Sequence, residues 1–300
     1  MNKQLRGTLL LLIATVIWGS AFIAQSVGMD LIGPFTFQTV RCGLAVLFLF
    51  LLSLLTDRSS ASLSKWLDPH LWKSGIVCGC ALFVATSLQQ VGLVYTDAGK
   101  AGFITTMYIV LVPILGIFRK QKPPFVIWIS VVLAVIGLYL LSCMNAGGIN
   151  KGDLLVLGCA FAFSVQITCI DTFADDLDGI RLNCVQALVV TVLSIPFMAF
   201  TETVELPNLM ACWLPLGFAG ILSMGVAYTL QIQGQKDLEP ATASLIMSLE
   251  SVFAVLGGWL ILHETMSIAE IFGCCLVFAA VLLTQIPIGN AKTNNTGRTL

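Results

Sequence analysis

ASLIMSLESVFAVLGGWLILHE, residues 243–264, is an apolar run long enough to cross a lipid bilayer as a helix. About 20 residues of this kind span the ~30 Å hydrocarbon layer. Glu250 lies in its middle, about 13 Å beyond Ala241 at ~1.5 Å per residue. A carboxylate at that depth is costly and is a functional-site candidate by default. The alternative is a structural carboxyl that only hydrogen-bonds a neighbouring helix.

The composition of the whole chain matches this run. Of its 300 residues, 57% are hydrophobic and only 10% are Asp, Glu, Lys or Arg. Soluble domains carry roughly 25% charged residues, so most of this chain requires lipid as its solvent. The net charge is −1 and no basic tract is present, which argues against a nucleic-acid partner.

Breaks at proline, glycine and charged residues divide the chain into apolar segments that predict an all-α membrane protein. Each segment is close to the length that crosses a bilayer. We predict ten transmembrane helices, at 7–27, 34–56, 72–93, 100–118, 124–143, 152–170, 180–200, 211–233, 241–262 and 268–287.

The distribution of Lys and Arg predicts the orientation of these segments, because cytoplasmic loops are enriched in both residues. A cytoplasmic N-terminus places twelve Lys or Arg residues inside and only Lys100 and Lys151 outside. We therefore expect a multi-pass protein of the cell (inner or plasma) membrane with both termini in the cytoplasm. The polar end, residues 289–300, is expected to be a disordered cytoplasmic tail.

The two halves of the chain resemble each other weakly. The stretch that begins at Gly7 aligns with the stretch from Gly152, and the stretch from Gln90 aligns with that from Gln233. Each half has five predicted helices, and five is odd, so the second half enters the membrane from the opposite side. The sequence thus predicts two inverted five-helix repeats, 1–146 and 147–288. Such repeats are typical of secondary transporters.

The ninth segment has two different faces at 100° per residue. Small and polar residues, among them Ser248, Glu250 and Ser251, share one face. We expect this face to contact protein or a cavity. The bulky face is expected to contact lipid; it consists of Leu245, Ile246, Leu249, Val252, Phe253, Leu256, Trp259 and Leu260.

The repeat assigns partners to that polar face. With an offset of 143 residues, Thr105 corresponds to Ser248 and Tyr108 to Ser251, and Pro113 is expected to add a kink. Further polar residues in the third and eighth segments could extend a path between the halves, or could only tie helices together. They are Gln89, Gln90, Tyr228, Gln231 and Gln233.

Arg41 is the other charge deep within a predicted span, about 10 Å beyond Pro34. It could snorkel toward the outer surface, as long basic side chains do. It could also neutralise Glu250 or a substrate carboxylate. We expect no metal or cofactor, because the ten cysteines form no CxxC pair and the two histidines are far apart. The acidic loop 171–179 lacks the EF-hand spacing and is expected to be solvated.

These residues together resemble the EamA-type transporters of the drug/metabolite transporter superfamily. The resemblance rests on WGSAF at Trp18 to Phe22, on Pro34 and Arg41, and on SLESVFAVLGGWLILHETMS at 248–267. Ser251 stands where that family commonly has proline. The resemblance implies a central cavity walled by the third, fourth, eighth and ninth helices. It also implies movement of small metabolites, often export of amino acids or related compounds.

We therefore expect a secondary transporter that works by alternating access on a small polar metabolite. Thr105, Tyr108, Ser248, Glu250 and Ser251 are the favoured substrate contacts, with Glu250 as the proton-coupling candidate. We expect a monomer or a weak homodimer. The competing classes are a membrane enzyme, which would need a nucleophile, a base or metal ligands together, and a receptor or assembly subunit without transport.

Overall fold

The computed structural model describes residues 2–57, 63–96, 98–142, 149–261 and 267–285. Within these ranges all regular structure is helical, as predicted. The α-helices are α1 (Lys3–Met29), α2 (Pro34–Thr56), α3 (Pro69–Gly92), α4 (Ala98–Thr105), α5 (Tyr108–Phe118), α6 (Phe125–Ser142), α7 (Lys151–Phe173), α8 (Gly179–Thr201), α9 (Leu206–Ala211), α10 (Trp213–Gly217), α11 (Tyr228–Gln235), α12 (Pro240–Met247), α13 (Leu249–Ile261) and α14 (Ile268–Thr284). The predicted tail, 289–300, lies outside the described residues.

The helices begin where the sequence supplies helix-starting residues. Pro34, Pro69 and Pro240 stand in the first turn of α2, α3 and α12, where a proline loses no hydrogen bond. Asn150 and Asp153 form a capping box at the start of α7. Local chemistry therefore sets several of the helix boundaries.

Seven helical stretches of the described residues are long and apolar enough to cross a membrane. They include α1, α2, α3, α7 and α8 as single helices, and the composite stretches Lys100–Phe118 and Trp213–Gln235. Three shorter apolar helices of 10–17 residues cover Phe125–Leu141, Pro240–Leu256 and Ile268–Thr284. The chain is thus a multi-pass membrane protein, and the full count of ten crossings stays a prediction.

The first helix of each half packs mainly on the other half. Helix α1 lies against α11, α12 and α13, and α7 lies against α3, α4 and α5. Two further contacts join the halves, α2 with α8 and α6 with α14. The core is therefore built between the halves of the chain, not within each one.

Glycines allow two of these helix pairs to touch backbone to backbone. A Cβ on Gly7 would lie 2.8 Å from the carbonyl oxygen of Gly234, where α1 meets α11. A Cβ on Gly152 would lie 2.8 Å from the carbonyl oxygen of Gly92, where α7 meets α3. Small residues at such crossings permit the close approach that drives helix association in lipid.

Carboxylates join the ends of α2 and α8. At one end, Glu202 accepts hydrogen bonds from the backbone N–H groups of Phe35 and Thr36, at 2.8 and 2.7 Å. At the other end, Asp57 forms a 3.0 Å ion pair with Arg181. A carboxylate at a helix N-terminus is favourable because the unpaired N–H groups carry partial positive charge.

Helical regularity fails at three places near the centre of the fold. Thr106 and Met107 separate α4 from α5, and Ser248 separates α12 from α13. Phe218–Ala227 is π-helical, and the side-chain amide of Asn183 donates to the carbonyls of Met224 and Gly225 there, at 2.8 and 3.0 Å. Broken and π-helical segments recur at functional sites because they free backbone groups.

The expectation that the bulky face of the ninth segment contacts lipid was wrong for its first half. Leu245, Ile246, Leu249 and Val252 are all fully buried. Helix α12 is enclosed by α1, α5, α6 and α14, and the break at Ser248 ends a continuous helical stripe. Trp259, near the far end of α13, is half exposed as expected. Pro113 lies inside α5, and the break precedes it by more than one turn.

Candidate functional site: a polar cavity between the halves

A cavity lies where α1, α2, α3, α4, α5, α7, α11, α12, α13 and the π-helical segment converge, and it holds about 570 Å³ when the space at its opening is included. Seven of the eleven residues predicted from sequence line it: Arg41, Gln89, Thr105, Tyr108, Tyr228, Gln231 and Glu250. The remaining lining residues are Trp18, Phe22, Gln25, Phe163, Ile167, Ser223, Met224 and Met247.

Glu250 is placed in the cavity wall by the break before α13. The residue is 6% exposed, and its Oε1 accepts a hydrogen bond of 3.2 Å from the Tyr108 hydroxyl. Tyr108 stands just after the break before α5, so the contact joins the two interrupted helices. Gly19 of α1 packs closely against the first turn of α13, since a Cβ there would be 2.8 Å from the carbonyl oxygen of Glu250.

Arg41 points into the cavity and does not snorkel toward the surface. The residue is 4% exposed, and one terminal guanidinium nitrogen donates to Gln25 Oε1 at 2.6 Å. The guanidinium carbon also lies 5.6 Å from the ring centroid of Phe37. Within the described part of the chain, Arg41 forms an ion pair neither with Glu250 nor with any other carboxylate.

Neutral polar pairs complete the wall. The Gln89 amide donates to Thr105 Oγ1 at 3.2 Å. The Gln231 amide donates to Gln166 at 3.3 Å, and its own carbonyl oxygen is buried without a partner. Trp18 packs edge-on against Tyr228 with ring centroids 5.0 Å apart. The cavity therefore offers a carboxyl group, a guanidinium group, amide and hydroxyl groups, and aromatic faces.

Four predicted residues lie outside this cavity. Gln233 packs beside Gly179 of α8, where a Cβ would lie 2.7 Å from its amide nitrogen. The hydroxyl of Ser248 donates to the Leu245 carbonyl of its own helix turn, at 2.7 Å. Ser251 is buried, and its hydroxyl has no hydrogen-bond partner among the described residues. The Gln90 amide contacts the Met29 sulfur at 3.0 Å. These side chains face neighbouring helices, the alternative weighed for each polar residue.

The sequence did not lead us to predict that α1 lines the cavity. Trp18, Phe22 and Gln25 recur at helical spacing, so they share one face. Gln25 is the polar member of that face in an otherwise apolar segment. This polar residue could have indicated that the face lines a cavity. Apolar residues such as Phe163 and Met247 carry no comparable mark.

The described residues contain no group of three or more His, Cys, Asp or Glu side chains suited to hold a metal ion. Of the acidic loop, Asp178 accepts from the backbone N–H of Ile180 at 3.0 Å and pairs with Arg181. Asp171 pairs with Arg119 at 2.9 Å. These acids stabilise helix ends on the described surface.

The amino-acid sequence matches the EamA-like transporter family over residues 5–143 and again over residues 150–286. The chain belongs to this family. The two matches together cover nearly the whole chain, one in each half.

Relatives agree with that assignment, and a solved structure shares the fold. An uncharacterised transporter of Archaeoglobus fulgidus is 33% identical over 294 residues, which cover 95% of this chain and 88% of the relative. The threonine/homoserine exporter RhtA of Salmonella typhimurium is 28% identical over 180 residues, or 58% of this chain and 59% of the exporter. A crystal structure of a protein with 18% identity shares the fold, with a TM-score of 0.79 over 93% of this chain and 96% of that one.

Proposed function

We propose that this membrane transporter exports a small polar metabolite, an amino acid or a related compound, by alternating access. The observation that carries the proposal is the central cavity, which presents Glu250 and Arg41 on walls contributed by both halves of the chain. A cavity with apolar and aromatic walls and a few convergent polar groups is the usual form of a small-molecule site. The family supplies the transport class.

The proposed architecture is ten transmembrane helices in two inverted repeats, 1–146 and 147–288, with both termini in the cytoplasm. The double family match supports it. The packing supports it too, because the contact of α1 with α11 has a counterpart in the contact of α7 with α3. Breaks before Tyr108 and Leu249 fall at nearly equivalent positions of the two halves. In an inverted repeat, exchanging the conformations of the halves converts an inward-open state into an outward-open one.

The proposed substrate class follows from charge and kinship. The one acid and the one arginine that line the cavity complement the two charges of a zwitterion. The relative named a threonine/homoserine exporter favours the same class, although it matches only 58% of this chain.

The proposed driving force is a gradient of protons or of the substrate itself. The sequence has no GxxxxGK[ST] motif for ATP. Glu250 is the proposed proton site, because a carboxyl group in a cavity can bind either a proton or a substrate ammonium group. Competition between these two ligands would couple their movements in opposite directions.

Flux in proteoliposomes tests the function. Purified full-length protein should exchange radiolabelled L-threonine or L-homoserine against unlabelled amino acid, and a pH gradient should change the rate. Conversion of the compound to a product would indicate an enzyme. Binding without flux would indicate a receptor, and the absence of flux with any amino acid would contradict the proposed substrate class.

A further inference from the structure

Arg41 is a buried cation that has no counter-ion among the described residues. The residue is 4% exposed, and within the described residues its guanidinium forms no ion pair. Its Nε is buried and has no hydrogen-bond acceptor. Charged groups inside a membrane protein normally pair with one another or with backbone carbonyls. The guanidinium of Arg41 therefore keeps N–H donors that no described residue uses.

The position of Arg41 is fixed by its surroundings. Gln25 accepts from one terminal nitrogen at 2.6 Å, and the Phe37 ring lies beside the guanidinium carbon at 5.6 Å. The π-helical segment packs closely against the same turn of α2, since a Cβ on Gly220 would be 2.7 Å from the Arg41 carbonyl oxygen. A guanidinium held in this way loses little further conformational entropy when its remaining N–H groups bind a ligand.

A purely structural role fits these contacts poorly. A structural arginine would use its donors on several protein acceptors, whereas Arg41 has Gln25 as its hydrogen-bond acceptor among the described residues. Gln25 is neutral, so it orients the guanidinium and leaves its charge uncompensated. Both side chains line the cavity.

We propose that Arg41 and Gln25 form a carboxylate-binding subsite, with Arg41 as the ligand-contacting cation and Gln25 as a positioning residue. The inference rests on the proposed transport function and narrows it: the substrate carries an anionic group. A planar guanidinium matches a carboxylate with two parallel hydrogen bonds. A phosphate dianion offers the same chemistry with a second charge that this single arginine leaves unpaired.

Matched ligands test the subsite in wild-type protein. The full-length chain in detergent is titrated with L-threonine, L-threoninamide, 3-hydroxybutyrate and inorganic phosphate, and with the other amino acids and their amides, by thermal shift. Compounds with a carboxylate should stabilise the protein at concentrations at least about tenfold lower than their amides, as loss of a charged hydrogen bond predicts. Equal responses to acids and amides, or no response to any carboxylate, would overturn the subsite. Stronger binding of phosphate than of every carboxylate would overturn the assignment to carboxylates.

Substitutions test whether ligand binding depends on Arg41 and not on an arginine elsewhere in the chain. R41Q should weaken binding of the responding carboxylates by roughly 10- to 100-fold and abolish their preference over amides. R119Q is the matched control, because Arg119 pairs with Asp171 outside the cavity, and its affinities should equal those of wild type. An R41Q protein that folds and still prefers acids to amides would contradict the proposal.

Gln25 variants test whether Gln25 positions the Arg41 guanidinium. They also test the subsite if R41Q fails to fold. Q25E places a carboxylate next to Arg41, so it should compete with the ligand and weaken acids more than amides. Q25L should weaken acids less than Q25E does, because it removes the orienting bond without neutralising the charge. Identical acid affinities in wild type, Q25E and Q25L would exclude Gln25 as a positioning residue.

Failure of the subsite and failure of the proposed function give different results. Arg41-dependent binding of 3-hydroxybutyrate without binding of any amino acid would retain the subsite and reject amino acids as substrates. Amino-acid exchange that R41Q leaves unchanged, and that threoninamide inhibits as strongly as unlabelled threonine does, would retain transport and reject the subsite.

Discussion

At the scale of single residues, Glu250 combines burial with one hydrogen bond, from Tyr108 at 3.2 Å. We predict that Glu250→Gln keeps the protein folded, because the amide oxygen can still accept from Tyr108. The same variant should remove the pH dependence of transport, since an amide does not titrate between pH 5 and 8. Exchange rates measured in proteoliposomes from pH 5.5 to 8.0 check this, together with the thermal unfolding midpoint.

The control for that prediction is Glu270→Gln. Glu270 caps the start of α14 from a half-buried position, where its Oε2 accepts from the Ser267 N–H at 2.6 Å. This variant removes a carboxylate outside the cavity, and its pH profile should match that of wild type. A Glu250→Gln protein whose pH profile also matched wild type would remove Glu250 as the proton site.

The residues that could be predicted from sequence are those that look costly in a membrane. Glu250 and Arg41 are marked by charge, and Tyr108 by its place in the repeat, and all three line the cavity. Ser248 and Ser251 were predicted to share the face of Glu250 but do not line the cavity. The helix breaks at Ser248, and the Ser251 hydroxyl lies beside Gly102 of α4. A helical wheel assumes a continuous helix and cannot represent such a break.

At the scale of helices, Gly19 decides how closely α1 approaches α13. A Cβ at this position would lie 2.7 Å from the backbone nitrogen of Ala254 and 2.8 Å from the carbonyl oxygen of Glu250. Backbone atoms cannot rotate away, so Gly19→Ala should destabilise the fold by about 1–3 kcal/mol, as overpacking does. The displaced α1 should also move Trp18 and weaken ligand binding.

Gly217 in α10 provides the matched substitution. A Cβ there has nothing within 4 Å. Gly217→Ala should therefore be neutral, or should stabilise by up to about 1 kcal/mol through the higher helix propensity of alanine. Thermal unfolding in one detergent compares the two variants, and equal midpoints would show that α1 does not depend on this close approach.

Helix positions follow from the sequence more readily than helix contacts. Proline, glycine and charge mark where each apolar segment begins, and the helices of the structure occupy those segments. The burial of Leu245 and Ile246 could not be predicted, because the layer of α6 and α14 that covers them is itself apolar. Hydrophobic side chains suit both lipid and a protein core, so their pattern does not distinguish these environments.

At the scale of the whole molecule, the orientation of the chain depends on an odd number of crossings between Lys65 and Lys151. We predict three, formed by α3, by α4 with α5, and by α6. In a protein without native cysteines, Lys151→Cys should react with a membrane-impermeant maleimide in intact cells. Lys65→Cys should react only after the cells are opened. Both side chains are exposed, so access is not limited by the fold.

Labelling of both positions from the same side would mean an even number of crossings, which the inverted repeat does not allow. Reversed labelling would keep the repeat and invert the orientation.

The packing of α1 and α7 on opposite halves predicts that neither half is stable alone. Residues 1–146 lack α11, α12 and α13, on which α1 packs, and residues 147–300 lack α3, α4 and α5, on which α7 packs. Expressed separately, each half would expose the Gly7 or Gly152 surface that its partner covers. We expect both halves to be degraded when expressed singly and to accumulate as a complex when co-expressed.

The full chain with a protease site inserted between residues 146 and 147 is the control for that experiment. Cleavage after purification should leave the two fragments associated and the ligand-dependent thermal shift intact, because the contacts between the halves do not need the covalent link. A half that accumulated alone as a folded monomer would show that each repeat completes its own core. The close contacts of α1 with α11 and of α7 with α3 would then be dispensable, and alternating access would have to arise from movement of two self-contained repeats.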